Sequence, residues 1–161
     1  MEALRELSTW LLFIHIGSAV LALGPVFIYV HIRRAAIEEP AHAIFAMRLA
    51  RSISEGWAHP LALVLIASGF ALVWSLGYDV LSTGWLLVAI VLYLGNFAYA
   101  NLVNNRDLAR MLELIESGPP ASLSAEDQAE LASLRKRTRY GGMYMRSVLA
   151  VVLYLMIVKP F

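Results

Sequence analysis

The sequence of 161 residues contains no cysteine. This absence excludes disulfides, thiolate zinc sites, iron–sulfur clusters and thiol nucleophiles. A ligand for a metal ion or a haem must therefore come from the four histidines, the six methionines, or a lysine, tyrosine or carboxylate side chain. The sequence offers few such residues within its apolar stretches, so each one that lies there is a candidate for function.

Charged residues are also scarce, at 16% of the chain, whereas hydrophobic residues make up 60%. A soluble domain is about one quarter charged and less apolar. Both values predict an integral membrane protein, and the length predicts a single membrane domain over residues 1–161. The first residues carry mixed charges, and the apolar run behind them is too long for a signal sequence. We therefore expect the first helix to remain in the mature protein.

Four apolar runs are each long enough to cross the hydrocarbon core, roughly 30 Å thick, as a helix. The predicted spans cover residues 9–32, 56–77, 84–105 and 142–159. The polar stretch 106–140 contains two helical segments, the first ending at Gly118 and the second beginning after Ser124. The sequence thus predicts an all-α protein, a four-helix transmembrane bundle of up-down topology with a cytoplasmic helical hairpin between spans 3 and 4.

Two stretches beside the spans have their own local patterns. Gly141 and Gly142 precede the fourth span and predict a hinge there. Residues 35–54 mix apolar and basic side chains. They form either a short amphipathic helix at the membrane surface or an extension of the second span.

Basic residues collect on one side of the predicted topology. Of the 13 lysines and arginines, only Arg5 and Lys159 fall on the side of the two termini. Positively charged loops stay in the cytoplasm, so both termini are predicted on the periplasmic side of a bacterial inner membrane. The basic run from Arg135 to Arg139 also favours contact with the headgroups of anionic lipids.

The first span has one histidine, His31, at its edge and another, His15, well inside it. Such a group is costly in lipid, so we expect it to face other helices. Imidazole binds iron and copper well, which makes His15 a candidate metal ligand and a candidate axial ligand of haem b. At the same depth the fourth span offers Tyr154 and Met156 as further cofactor-binding residues. The alternative is a structural histidine that hydrogen bonds to a neighbouring helix.

A second candidate is a polar cluster of Glu55, His59 and Arg146, near the cytoplasmic ends of their spans. A buried carboxylate, imidazole and guanidinium can form a proton relay or an anion site. They can equally form an ion pair that fixes the register of the helices. Asp and Glu are absent from the middle of every span, which argues against a cation-coupled pump. Nothing in the sequence indicates a surface for nucleic acid.

Three motifs resemble a bacterial family of predicted four-helix integral membrane proteins of unassigned function. They are LLFIHIGSAVLALGPVFI in the first span, ASGFALVWSLGY in the second and LMIVKP at the end of the chain. The arrangement is more remotely similar to the CopD-like group, which includes the HemJ-type protoporphyrinogen oxidases. In those oxidases a first-helix histidine and a third-helix lysine are associated with haem b. His15 matches the histidine, whereas the third span here contains no lysine.

These observations predict an inner-membrane protein that binds b-type haem or a porphyrin through His15 in a redox role. They assign no catalytic residue. The alternatives are a non-catalytic accessory or scaffold subunit of a membrane complex and a small transporter. As partners we expect membrane lipid and either a second copy of the chain, in a homo-oligomer, or a larger membrane complex, and no nucleic acid.

Overall fold

The computed structural model describes residues 2–118 and 122–160, which form helices and no strand. Six α-helices follow one another: α1 Glu2–Glu38, α2 Ala43–Ile53, α3 His59–Leu76, α4 Gly84–Tyr99, α5 Asn105–Glu116 and α6 Ala125–Val158. A 3-10 turn, Pro40–His42, lies between α1 and α2. Two π-helical segments, Ser54–Ala58 and Ala100–Asn104, join α2 to α3 and α4 to α5 without a break.

Four continuous helical segments are long and apolar enough to cross a membrane: Arg5–Glu38, Ala43–Leu76, Gly84–Glu116 and Ala125–Val158. Each has 33 or 34 residues, which corresponds to about 50 Å of helix. Because this length exceeds the hydrocarbon core, part of every segment extends into the polar layer or beyond it. The predicted all-α class and the four apolar helices are confirmed. The up-down order and the side on which the termini lie stay predictions.

For residues 35–54 the sequence allowed two interpretations, a surface helix or an extension of the second span. Residues 43–53 form α2, which continues through the π-helical segment Ser54–Ala58 into α3. Residues 43–53 are therefore an extension of the second span and not a separate surface helix. The segment ends at Gly77, whose φ of 68° is left-handed and thus suits glycine.

The helices pack chiefly as two pairs. α1 lies along α3, and α4 lies along α6. In the second pair a buried core forms from α4 residues Trp85, Leu86 and Ala89 and α6 residues Val148, Val152 and Leu155. The two pairs meet where α2 packs on α5 and where Val73 of α3 packs against the core of the second pair. There the Arg48 guanidinium donates to the Glu116 carboxylate over 2.7 Å.

The polar stretch between the last two spans folds back on itself as a hairpin, made of α5 and residues 125–140 of α6. Ser124 caps α6, since its hydroxyl accepts a hydrogen bond from the Asp127 backbone N–H at 3.1 Å. Two ion pairs join the two arms of the hairpin, Arg110 with Glu130 and Arg137 with Asp107. Its apolar core consists of Met111, Leu114, Leu131 and Leu134.

The predicted hinge at Gly141 and Gly142 is wrong, because α6 runs through both residues without interruption. The structure gives Gly141 another role. A Cβ atom added to Gly141 would lie 2.5 Å from the hydroxyl oxygen of Tyr99, closer than real contacts allow. A Cβ added to Gly142 would meet only the end of the Arg146 side chain, at 3.4 Å. Gly141 is therefore the place where the Tyr99 ring approaches the backbone of α6.

This difference between adjacent glycines predicts opposite effects of the same substitution. Gly141→Ala forces Tyr99 away from α6 and lowers the thermal stability of the detergent-solubilised protein. Gly142→Ala, the matched control, leaves stability unchanged or raises it, since alanine is favoured over glycine in a helix by about 1 kcal/mol. Thermal unfolding of both variants checks the prediction. Equal effects of the two substitutions would contradict it.

Candidate functional site

His15 of α1 is half-buried and turns its ring toward α3. The Nδ1 atom lies 3.2 Å from the Leu65 carbonyl oxygen and 3.2 Å from the Ser68 hydroxyl oxygen. Both partners belong to the middle of the second span. The first-span histidine thus faces a neighbouring helix and hydrogen bonds to it, as expected of a structural histidine. Among the described residues, the polar contacts of its ring all lie on that helix.

The partners of Nδ1 determine which ring nitrogen carries the proton. The Leu65 carbonyl can only accept a hydrogen bond, so we assign the proton to Nδ1. The Ser68 hydroxyl donates to the Val64 carbonyl at 2.7 Å, which leaves its oxygen free to accept from Nδ1 as well. In the neutral imidazole the lone pair then lies on Nε2. No described residue hydrogen bonds to Nε2.

Small residues bring α1 and α3 close enough for this contact. A Cβ atom added to Gly69 would lie 3.0 Å from Cε1 of His15, tighter than an ordinary contact. On α1, Ser18 and Ala22 are both buried, and the Ser18 hydroxyl donates to the His15 carbonyl at 3.1 Å. Small residues of this kind allow close approach of membrane helices. The imidazole can therefore reach a backbone carbonyl of its neighbour.

Two more side-chain hydrogen bonds connect α1 to the second helical segment. The Ser8 hydroxyl donates to the Ser75 hydroxyl at 3.3 Å, and the Trp57 indole donates to the Leu21 carbonyl at 3.1 Å. With the His15 contact between them, these bonds cover most of the length of the helix pair. Each places a polar group against another, which is favourable where water is absent. The first pair is therefore held by polar contacts distributed along an otherwise apolar interface.

The two other cofactor candidates lie on α6. Tyr154 is 55% exposed. Met156 packs against the apolar core shared by α4 and α6. Neither hydrogen bonds to His15, whose described partners are on α3. The structure therefore places the ring of His15 in the first helix pair and Met156 in the second.

The residues of the second candidate cluster have separate partners. Glu55 accepts a hydrogen bond from Arg51 at 2.8 Å, and both side chains are exposed. The His59 ring lies against the Phe97 ring, with centroids 5.2 Å apart. The Arg146 guanidinium lies beside Gly142. None of the described contacts joins two of the three candidates.

Within residues 2–118 and 122–160, no group of three His, Asp or Glu side chains could hold a metal ion. A metal ion held only by such side chains has no set of ligands there. A haem has different needs, because the porphyrin supplies four of the iron ligands and one imidazole suffices for the protein. The described residues provide one imidazole well inside a span, His15, with Nδ1 hydrogen-bonded to α3.

Sequence reasoning missed the partners of His15, namely the Leu65 carbonyl, Ser68 and Gly69. A backbone carbonyl has no signature in the sequence. The pair Ser68-Gly69 does have one, since a small polar residue followed by glycine interrupts an apolar run near its middle. That interruption is typical of a helix–helix contact in a membrane.

Comparison with known proteins identifies the family. The family model described as "Predicted integral membrane protein (DUF2269)" matches residues 9–160. This range includes His15, its partners on α3 and the whole hairpin. No curated protein and no solved structure matches the chain. A match over nearly the whole chain, together with four apolar helices, shows that this protein belongs to the DUF2269 family of predicted integral membrane proteins.

Proposed function

We propose that this membrane protein binds a b-type haem through Nε2 of His15 and has a redox role. The observation that carries the proposal is the contact of Nδ1 with the Leu65 carbonyl. An Nδ1–H bonded to a backbone carbonyl leaves Nε2 as the ligand atom and fixes the plane of the ring. Histidines that bind metals almost always have such a partner on their other nitrogen.

The chain contributes the orientation of the ligand. The Leu65 carbonyl and the Ser68 hydroxyl hold the proton at Nδ1, and Gly69 allows the ring to lie close to α3. A hydrogen bond of this type also makes the imidazole a stronger ligand. When bound, the haem would supply one-electron chemistry, with a potential that depends on the axial ligand and on burial. His15 is the one protein ligand in this proposal, because Met156 packs in the other helix pair.

We place the protein in the bacterial inner membrane with both termini on the periplasmic side. The distribution of charge supports this placement, since the hairpin end carries nearly all of the basic residues. His15 is then close to the periplasmic end of its span. A cofactor at this level would exchange electrons with a partner on the periplasmic side or within that leaflet.

An absorption spectrum after expression with ample haem tests the proposal. The purified wild-type protein should show a Soret band that shifts on reduction with dithionite. His15→Ala should lose the band because it removes the ligand. His31→Ala is the matched control, since His31 lies on the same helix, is exposed and should be dispensable. A wild-type protein without a Soret band, or an equal band in His15→Ala, would rule out this function.

Gly69→Ala tests the positioning of the ligand. The added methyl group lies 3.0 Å from Cε1 of His15 and moves the ring relative to Leu65. We expect haem affinity to fall about tenfold, as for the loss of a partner that orients a metal ligand. Gly95→Ala is the control, because a Cβ atom there has no neighbour within 4 Å. Haem titration of both variants measures the effect, and equal affinities would contradict the positioning role.

The second candidate function is a non-catalytic accessory or scaffold subunit. It is favoured by the small share of each span that the chain itself buries, between 11% and 28% of the most apolar windows. The remaining surface faces lipid, a second copy or another subunit. Stable co-purification with membrane partners, combined with unchanged assembly in His15→Ala, would support this function. The transporter alternative has less support, because Glu55, His59 and Arg146 contact different neighbours.

A further inference from the structure

A groove of about 520 Å³ lies beside α6, where the hairpin joins the fourth span. Its walls include three tyrosines, Tyr99 from α4 and Tyr140 and Tyr144 from α6. Lys136 and Arg137 lie one turn further toward the tip of the hairpin. The groove therefore has an aromatic part and a basic part that follow one another along the helix.

The aromatic part is held in place by close packing. The hydroxyl of Tyr99 lies over the backbone at Gly141, where no side chain fits beneath it. The rings of Tyr99 and Tyr144 meet edge to face, with centroids 5.4 Å apart. Tyr140 and Tyr144 are each at least half exposed. The rings of Tyr99 and Tyr144 thus form a fixed wall, and the outer faces of Tyr144 and Tyr140 are free for contact.

The two cations of the basic part have different surroundings. Arg137 is engaged, since its guanidinium donates to the buried carboxylate of Asp107 at 2.8 Å. Lys136 is exposed and forms no ion pair with a described residue. The net charge at the rim of the groove is therefore positive, and it comes from a flexible ammonium group that can follow a ligand.

The length of the fourth span places the groove at the boundary of the membrane. The hydrocarbon core is crossed by about 20 residues of helix. Counted from the end of α6 at Val158, that length reaches Arg139. Tyr140 and Tyr144 then lie at the edge of the hydrocarbon, where tyrosine is enriched. Lys136 lies one turn outside, at the level of lipid phosphates.

We propose that this groove binds an anionic phospholipid of the leaflet at the hairpin end. The Lys136 ammonium pairs with the phosphate, and an acyl chain lies along the exposed side chain of Tyr144. The order of groups along α6 matches the order of groups in a phospholipid, with charge outside and apolar surface inside. A small soluble anion would use Lys136 alone and leave the tyrosine wall uncovered. A neutral phospholipid would not offset the charge of Lys136.

Lipid binding to the full-length protein in detergent tests the proposal. Native mass spectrometry can compare phosphatidylglycerol with phosphatidylcholine of identical acyl chains, for the wild type, Lys136→Gln and Arg135→Gln. The two variants remove the same charge from neighbouring exposed positions, but Arg135 does not line the groove. We expect the wild type to prefer phosphatidylglycerol at least about fivefold, the factor typical of one basic residue near anionic lipid.

Lys136→Gln should lose this preference, and Arg135→Gln should retain it. Tyr144→Ala should weaken the binding of both lipids, because it removes part of the aromatic wall. An equal loss in Lys136→Gln and Arg135→Gln would overturn the proposal in favour of diffuse surface charge. Competition by millimolar inorganic phosphate would overturn it in favour of a soluble anion. A wild type that binds both lipids equally would also overturn it.

Discussion

The proposed function depends on one contact, the hydrogen bond between the His15 imidazole and the Leu65 carbonyl. In hydrocarbon a polar side chain without a partner is costly, and water is absent to supply one. The Leu65 carbonyl satisfies Nδ1 and at the same time determines where the proton resides. The free lone pair on Nε2 follows from that contact. The proposed haem ligation is thus a consequence of how α1 and α3 pack.

In both helix pairs a glycine lies where an aromatic ring of the partner helix comes close to the backbone. In the first pair the His15 ring lies against Gly69 of α3, and in the second the Tyr99 ring lies against Gly141 of α6. In each case the absence of a side chain lets a ring from one helix reach the backbone of the other. Lipid tails are as apolar as leucine, so close packing and polar contacts have to replace the hydrophobic effect between membrane helices. These glycines therefore position the groups to which we attribute function.

Much of the fold was predictable because it depends on composition along the chain. Four long apolar runs require four helices, whatever their neighbours are. The helix start at Ser124 was also predictable, since a serine cap with acidic residues behind it is a local signal. The direction in which His15 faces was predictable because exposure of an imidazole to lipid costs free energy, so the ring faces other helices. All three inferences need only residues that are close together in the sequence.

The rest depends on which helices are neighbours, and a uniformly apolar span does not encode this choice. The rise of a helix predicts how deep Tyr154 and Met156 lie in the membrane. It does not predict which neighbouring helix they face. Met156 packs with α4, whereas His15 packs with α3. The hinge prediction was wrong for a related reason. The role of Gly141 is decided by Tyr99, a residue of another helix.

The tautomer of His15 in the cofactor-free protein tests the proposed haem ligation directly. Solid-state ¹⁵N NMR of histidine-labelled protein in lipid bilayers distinguishes the two ring nitrogens, and the spectrum of His15→Ala assigns the signal. We expect a neutral imidazole with its proton on Nδ1 and an unprotonated Nε2. A proton on Nε2 would show that Leu65 does not accept from this ring, and it would contradict the proposed ligand atom.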